Sequence, residues 1–140
     1  MIKELIFNVE KQEDGTYLAS CEHNNGIMLA ESLDYRSLQK EVAKTVKDYI
    51  FHGYGKKFGW PENPKIRLIY SELFSNNHDS ENILITGNPE GQGYRAVSNS
   101  NLNLNMYNED FDVLRENLIE ELQKRECKKN VEFRLEEVLD

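Results

Sequence analysis

The chain has 140 residues, of which 39% are hydrophobic and 30% are charged, and its formal net charge is −8. This composition can form the hydrophobic core of one ordinary domain or of two small ones. The excess of acidic residues argues against general DNA or RNA binding and against docking on an anionic membrane, since both depend on lysine and arginine. The sequence contains no run of about 18 apolar residues and no apolar signal segment, so we expect a cytoplasmic protein that does not enter a membrane.

The first half of the chain predicts three strands, a helix and a fourth strand. Strand-like runs at 4–10 and 16–21 flank Asp14-Gly15. Asp-Gly between β-rich runs is a strong hairpin signal, because glycine accepts the positive φ of a tight turn. A short third strand at 27–30 follows a turn, and a fourth strand at 65–70 closes this half.

One apolar stripe predicts the helix that follows the third strand. Its residues recur at steps of three or four, as on one face of an α-helix: Tyr35, Leu38, Val42, Val46 and Tyr49. Ser32 or Asp34 can cap this helix, because a short side-chain oxygen accepts hydrogen bonds from free N–H groups of the first turn. Gly53 and Gly55 are expected to end the helix, and a loop leads on to the fourth strand.

The second half repeats this order of elements. Strands are predicted at 83–86, 94–97 and 102–106, and the last of these alternates leucine and methionine with asparagine, as a half-buried strand does. A turn at 88–93 joins the first two strands. Asn108 is expected to cap a helix whose apolar stripe matches that of the first half: Phe111, Leu114, Leu118 and Leu122. The closing strand is predicted at 131–135.

The fold class is therefore predicted to be α+β, with two tandem β-β-β-α-β units. Each unit is expected to be an antiparallel sheet with one helix packed on one face. We place the units at 1–75 and 76–140, with an exposed polar linker at 74–82. A unit of about 60 residues has a small core, so we expect the two to pack together as a pseudo-dimer within the chain.

The spacing Asp14-Gly15-x-Tyr17-x-Ala19-x-Cys21, followed by Gly26 and by Glu31-x-Leu33 before the helix, resembles the HicB-like antitoxin domain. The resemblance covers residues 4–51 and returns more faintly at 83–126, where Tyr94-x-Ala96 repeats part of the motif. It implies a partly degraded RNase H-like unit, present here twice.

The sequence departs from that family in two respects. Asn25 stands where the family has a proline before the turn glycine. A helix-turn-helix or ribbon-helix-helix segment, which many such antitoxins use to bind their operator, does not follow the domain. The resemblance therefore extends to partner binding but not to autoregulation.

We predict no catalytic, metal or cofactor site and do not expect an enzyme. A magnesium nuclease needs three or four converging carboxylates. The acidic residues on predicted strands are not paired in that way: Glu10, Glu22, Glu132 and Glu136. Cys21 and His23 share one face of a strand, but a cysteine at a strand end beside a turn histidine is more often a packing residue than a nucleophile. Cys21 and Cys127 form no C-x-x-C pair, and we expect both to be reduced packing residues.

The segment 52–61 is the most unusual stretch. It contains Tyr54, Phe58 and the only tryptophan, Trp60, together with two lysines. Aromatic residues with basic neighbours can stack nucleobases or anchor a protein interface. They can equally fold back and cap the sheet, and the sequence leaves these alternatives open.

Acidic residues are concentrated in the second half. Residues 1–75 carry 10 basic and 11 acidic side chains, whereas residues 76–140 carry 7 and 14. Glu116, Glu120 and Glu121 belong to the predicted second helix. They form either a solvated face that maintains solubility or a surface that steers a basic partner.

Our hypothesis is a non-enzymatic, cytoplasmic binding protein, a HicB-like antitoxin or inhibitor that covers a small basic protein, by resemblance an RNase toxin. The candidate partner-binding residues are Tyr54, Phe58, Trp60, Glu116, Glu120 and Glu121. The alternatives are a self-associating or small-ligand-sequestering module of phage or mobile-element origin, and a HicB-like protein without a toxin partner. A homodimer is compatible with either. Binding of nucleic acid is not expected.

Overall fold

A computed structural model describes residues 4–23, 26–74, 82–98, 102–125, 127 and 130–139. These residues form an α+β fold, as predicted. The strands are β1 (Glu4–Lys11), β2 (Tyr17–His23), β3 (Gly26–Ser32), β4 (Lys65–Leu73), β5 (Asn82–Glu90), β6 (Gly93–Val97), β7 (Asn105–Asn108) and β8 (Asn130–Leu139), and the helices are α1 (Tyr35–Phe51), α2 (Tyr54–Phe58) and α3 (Phe111–Lys124). The described strands belong to one mixed sheet in the order β3-β2-β1-β4-β8-β5-β6-β7. No described helix has both the length and the apolar character needed to cross a membrane.

The chain divides into two compact units, and the division falls inside two strands. The first unit runs as far as Ile69 and resumes at Glu137, and the second unit is Tyr70–Glu136. β4 and β8 therefore each contribute residues to both units. The predicted boundary between residues 75 and 76 lies outside the described residues, as does the predicted linker at 74–82 apart from its two end residues.

Alternating side chains build the core of the first unit. Leu5, Phe7 and Val9 of β1 are buried, whereas Ile6 between them is 42% exposed. This alternation follows from the strand geometry, in which successive side chains point to opposite faces of the sheet. α1 packs on the buried face, where the ring of Tyr35 lies edge-on at 6.0 Å from that of Tyr17 on β2. One face of the first unit is thus covered by α1.

α1 follows its N-cap Asp34 and buries four of the five residues of the predicted stripe, while the fifth, Tyr49, is half-buried. The Asp34 carboxylate accepts a hydrogen bond from the Ser37 N–H at 2.8 Å. Of the two predicted caps, Ser32 and Asp34, the N-cap is therefore Asp34. This backbone hydrogen bond lowers the pKa of Asp34 because it stabilises the charged form. The buried stripe of α1 is Tyr35, Leu38, Val42 and Val46.

The last residues of β8 are held against α1 by one carboxylate. Glu137 accepts a hydrogen bond from the Tyr35 hydroxyl at 3.0 Å and another from the Gln39 side-chain amide. The C-terminal end of the described chain is thereby fastened to the first turns of α1. These contacts were not predicted, because they join residues about 100 positions apart and leave no local pattern in the sequence.

A cluster of four aromatic rings forms the centre of the second unit. The Phe111 ring, at the start of α3, lies 5.2 Å from Tyr70, 5.5 Å from Tyr94 and 5.8 Å from Phe133, measured between ring centroids. The pairs with Tyr70 and Tyr94 are edge-to-face and the pair with Phe133 is stacked, and such pairs add to the free energy gained from burying the rings. α3 is thus packed on strands β4, β6 and β8 through its first residue.

The second unit has a mixed sheet, so the prediction of a purely antiparallel sheet in each unit is wrong here. β5, β6 and β7 form an antiparallel meander. β8 then adds beside β5 in parallel, with Ile83 opposite Val131. The cause is the crossover: a strand that returns through a helix joins its neighbour in parallel.

Three predictions for the second unit, two strand boundaries and one helix cap, are corrected by the local geometry. β5 continues through Pro89 to Glu90, so the turn to β6 is shorter than predicted. β7 begins at Asn105 instead of residue 102, because Asn103 adopts a left-handed φ of 54°, which asparagine tolerates and a strand does not. Asp110 is the N-cap of α3 in place of Asn108, whose side chain instead accepts from the Asp110 N–H at 2.8 Å.

A charged network is packed beside the aromatic centre of the second unit. Arg115 of α3 is 9% exposed and donates two hydrogen bonds to Glu72, at 2.6 and 2.7 Å. The Tyr70 hydroxyl also donates to Glu72. Burial raises the pKa of Tyr70, and the hydrogen bonds to Glu72 raise the pKa of Arg115, so Tyr70 stays neutral and Arg115 stays charged. The network is therefore held together by one carboxylate.

Replacement of the α1 cap tests its charge dependence. We expect Asp34→Ala to lower the free energy of unfolding by about 1 kcal/mol at neutral pH. Because the pKa of Asp34 is lowered by folding, this difference is complete above the unfolded-state value of about 3.9 and shrinks as the pH falls through the folded value. Urea denaturation at several pH values measures it. Asp48→Ala, at the other end of α1, is the control and should cost nothing, since an acid is unfavourable there.

Removal of the shared carboxylate tests the buried network. We expect Glu72→Ala to destabilise the protein by about 3 kcal/mol, because the largely buried Arg115 would keep only the exposed Glu116 carboxylate as a partner. Glu90→Ala removes a carboxylate from the exposed pair with Arg95 in the same unit and should cost less than about 1 kcal/mol. Chemical denaturation followed by circular dichroism compares the two, and equal losses would contradict this account.

Candidate functional site

Five aromatic side chains of the first unit lie against one another, and we call them the aromatic cluster: His23, Tyr49, Tyr54, Phe58 and Trp60. Tyr49 stacks on Trp60 with ring centroids 6.2 Å apart, and the His23 ring lies 4.7 Å from that of Phe58. Tyr54 stacks on Phe58 at 5.8 Å. The structure therefore brings together all three aromatic residues that the sequence singled out, with two rings from β2 and α1.

The short helix α2 arranges these rings, where the sequence predicted a loop. Gly53 and Gly59 flank it with φ values of 86° and 74°, a left-handed conformation that glycine adopts without strain. The chain then reverses, and the Trp60 N–H donates to the Gly55 carbonyl at 2.8 Å. Gly53, which was expected only to end α1, and Gly59 together direct the segment back onto the first unit.

Exposure separates the three predicted aromatic residues. Trp60 is only 7% exposed, so its ring belongs to the core of the first unit. Tyr54 is 41% exposed and Phe58 is half-buried. The Lys57 ammonium lies 5.9 Å from the centre of the Tyr54 ring, a cation–π distance. Tyr54 and Phe58 are thus accessible to another molecule, whereas the buried Trp60 ring packs against the Phe58 ring.

Two buried nitrogen atoms of the aromatic cluster have no hydrogen-bond partner among the described residues. They are Nε1 of Trp60 and Nδ1 of His23. A buried N–H without a partner costs about 1–3 kcal/mol. The cluster therefore combines apolar ring faces with two buried nitrogen atoms that no described residue satisfies.

The three predicted acidic residues lie on α3 in the second unit. Glu116 is exposed but binds the Arg115 guanidinium at 2.7 Å. Glu121 is half-buried and pairs with Arg125 at 2.9 Å, one helical turn further along. Glu120 is exposed, and the described residues provide it with no ion pair. Of the three carboxylates, Glu120 presents its charge with the least compensation.

Glu120 and Glu121 also line a shallow open groove of about 590 Å³ on the outer side of α3. The other residues of this groove are Met106, Asn117, Gln123 and Lys124. Methionine adapts to irregular surfaces, while the amide and carboxylate groups offer hydrogen-bond acceptors. Such a lining suits a side chain that is both long and basic, since arginine and lysine combine an apolar stem with a charged head.

Three residues that line or support these surfaces were not predicted from the sequence to do so. Tyr49 was assigned only to the apolar stripe of α1, and His23 to a turn. Arg115 was overlooked although it lies four residues after Phe111, which places it on the buried side of α3. A charged residue at a stripe position is the signal that could have identified it.

Two features of the described residues concern metal binding and nucleophilic chemistry. Within the described residues, no group of three or more His, Cys, Asp and Glu side chains could hold a metal ion. Cys21 is buried, and this burial raises the pKa of its thiol, which disfavours the thiolate that a nucleophile requires.

Comparison of the chain with protein-family models, with curated proteins and with solved structures finds no match.

Replacement of Trp60 tests its assignment to the core. We expect Trp60→Ala to lower the free energy of unfolding by about 3–5 kcal/mol, because a large buried ring is lost. Trp60→Phe should recover much of that loss, since phenylalanine fills most of the space and removes the N–H without a partner. Tyr54→Ala is the matched control, with a cost of about 1 kcal/mol or less. Urea denaturation followed by circular dichroism checks all three, and equal costs at 54 and 60 would place Trp60 at the surface.

Proposed function

We propose that this protein is a non-enzymatic, cytoplasmic inhibitor of the HicB-like antitoxin kind, which binds a small basic protein partner. The observation that carries the proposal is the groove beside α3, where Glu120, which has no ion pair among the described residues, borders an open surface with hydrogen-bond acceptors and one lysine, Lys124. A basic side chain entering this groove would gain both charge and packing. The net charge of −8 favours the same kind of partner.

The order of elements supports the proposal. Three strands, helix and strand occur in each half of the chain, with the short helix α2 added in the first. In the segment that resembles the HicB-like domain, Asp14 and Gly15 form the turn between β1 and β2, and Tyr17, Ala19 and Cys21 are buried under α1. The motif residues therefore have structural roles that suit a binding scaffold.

The proposed mechanism is steric and electrostatic. The acidic face of α3 raises the rate of encounter with a basic partner, since complementary charge steers association. Tyr54 and Phe58 are candidate anchors because partly exposed aromatic side chains often dominate binding energy. Trp60 is assigned a supporting role, since it is buried beneath them. By resemblance, the partner is an RNase whose substrate path the bound inhibitor blocks.

Recovery of the partner is the direct experiment. The tagged full-length chain is purified from its native cells, and co-eluting proteins are identified by mass spectrometry with light scattering for stoichiometry. We expect a small basic protein in a fixed ratio, whose nuclease activity falls when the inhibitor is added back. Recovery of the chain alone, or with a small molecule, would refute the inhibitor proposal and favour the sequestering alternative.

Charge removal tests the steering role of α3 once the partner is in hand. We expect Glu120→Gln to reduce the association rate at low salt severalfold and to flatten its salt dependence. Glu121→Gln should have a smaller effect, because Arg125 already compensates that charge. Glu41→Gln, which removes the same charge from the exposed side of α1, is the control. Stopped-flow kinetics measures the rates, and an unchanged rate for Glu120→Gln would remove the steering claim.

A further inference from the structure

β3 is an edge strand without the features that usually protect such edges. It has seven residues, Gly26–Ser32, and among the described strands it pairs with β2 alone. Proteins commonly keep edge strands short or place lysine, proline or a bulge in them, because their free N–H and C=O groups recruit other strands. β3 has no lysine or proline, and its register with β2 runs without a bulge. β7, at the other end of the strand order, has only four residues.

The two faces of β3 differ strongly in exposure. Met28 and Ala30 lie under α1 and are 1% and 6% exposed. Ile27 and Leu29 point to the opposite face and are 55% and 59% exposed. Ile6 of β1 lies on this open face as well and is 42% exposed. The edge strand thus adjoins exposed apolar side chains that α1 does not cover, and Glu22 of β2 lies opposite Ile27 on the same face.

We propose that β3 pairs in antiparallel fashion with β3 of a second copy of this chain, about a twofold axis at Leu29. Leu29 is the midpoint of the strand, so this axis pairs all seven residues with their symmetry mates. Leu29 then meets Leu29 of the second copy. Ile27 lies opposite Glu31 of the second copy, and Met28 lies opposite its Ala30.

The side chains of β3 are self-complementary in this register. On the face under α1, a large residue, Met28, meets a small one, Ala30, so that both fit in one layer. On the open face, the only charged residue of β3, Glu31, lies opposite an apolar residue. The two copies of Glu31 are four residues apart along the strands, about 13 Å, and salt screens most of their repulsion. In a twofold interface, each contact between two residues occurs twice, so the same surface of both copies must fit itself, as Met28 and Ala30 do here.

A second copy is a better occupant of this edge than a strand of the proposed basic partner. β3 has one acidic residue, Glu31, whereas several acidic residues would be needed to favour pairing with a basic strand. The inference does not depend on the proposed function, since the interface lies on β3 and the acidic groove lies on α3. The purified chain alone is sufficient to test it.

The mass of the purified protein in solution is the primary measurement. The chain has a mass of 16.4 kDa, and we expect light scattering and sedimentation to show a concentration-dependent species of twice that mass. Leu29→Lys places two like charges on the twofold axis and should raise the dissociation constant about tenfold or more. Leu84→Lys is the matched control, because Leu84 is 49% exposed on β5, which has strands on both sides. It should leave the dissociation constant unchanged.

A charge swap tests the register. Ile27→Glu would face Glu31 of the second copy and should weaken the dimer severalfold. The double variant Ile27→Glu with Glu31→Lys places opposite charges across the interface and should restore it. Within the chain, residue 27 lies opposite Glu22 of β2, and this neighbour is the same in both variants. Restoration therefore reports the contact between copies, while circular dichroism verifies that each variant is folded.

The proposal fails on any of three results. A wild-type chain that stays monomeric at all concentrations would show that β3 does not recruit a second copy. A dimer that withstands Leu29→Lys would place the interface elsewhere. A dimer that Ile27→Glu weakens but the double variant does not restore would exclude pairing about Leu29. A basic partner could still be recovered in each case, so failure here is separate from failure of the proposed function.

Discussion

The limiting constraint on this structure is that each unit has one long helix to cover a sheet with two faces. In the first unit, α1 buries one side of β1, β2 and β3, and leaves Ile6, Ile27 and Leu29 exposed on the other. In the second unit, α3 packs through Phe111 on a layer of aromatic rings. Everything that we assign to recognition lies on what these two helices leave uncovered or on their own outer surfaces.

Because each unit has only one long helix, the position of that helix matters, and in each unit a half-buried carboxylate on a strand bonds to it. Glu137 bonds to two side chains of α1, and Glu72 bonds to Arg115 of α3 and to Tyr70. Each carboxylate belongs to a strand, β8 or β4, that contributes to both units. In each unit, therefore, a strand carboxylate fastens the helix through directed hydrogen bonds, which specify its position more narrowly than apolar contact does.

The candidate surfaces differ in the kind of recognition they support. The backbone of the aromatic cluster turns at two positive-φ glycines, and its base is the buried Trp60. It offers apolar area at low entropic cost, as aromatic hot spots do. The groove on α3 is shallow and polar, and it acts through charge that salt can screen. The edge of β3 acts through backbone hydrogen bonds, for which the identity of the side chains determines only register and symmetry.

Local chemistry in the sequence by itself determined the elements: the Asp14-Gly15 turn, the cap at Asp34 and the two helical stripes follow from neighbours a few residues apart. It did not reveal α2, because the conformation of Gly53 and Gly59 depends on where Trp60 packs. It also could not show that Trp60 is buried while Tyr54 is exposed, that β8 joins β5 in parallel, or that Arg115 reaches Glu72. Only the tertiary structure decided these points, because each depends on residues that are distant in the chain, and no local periodicity encodes which distant strand or ring a side chain will meet.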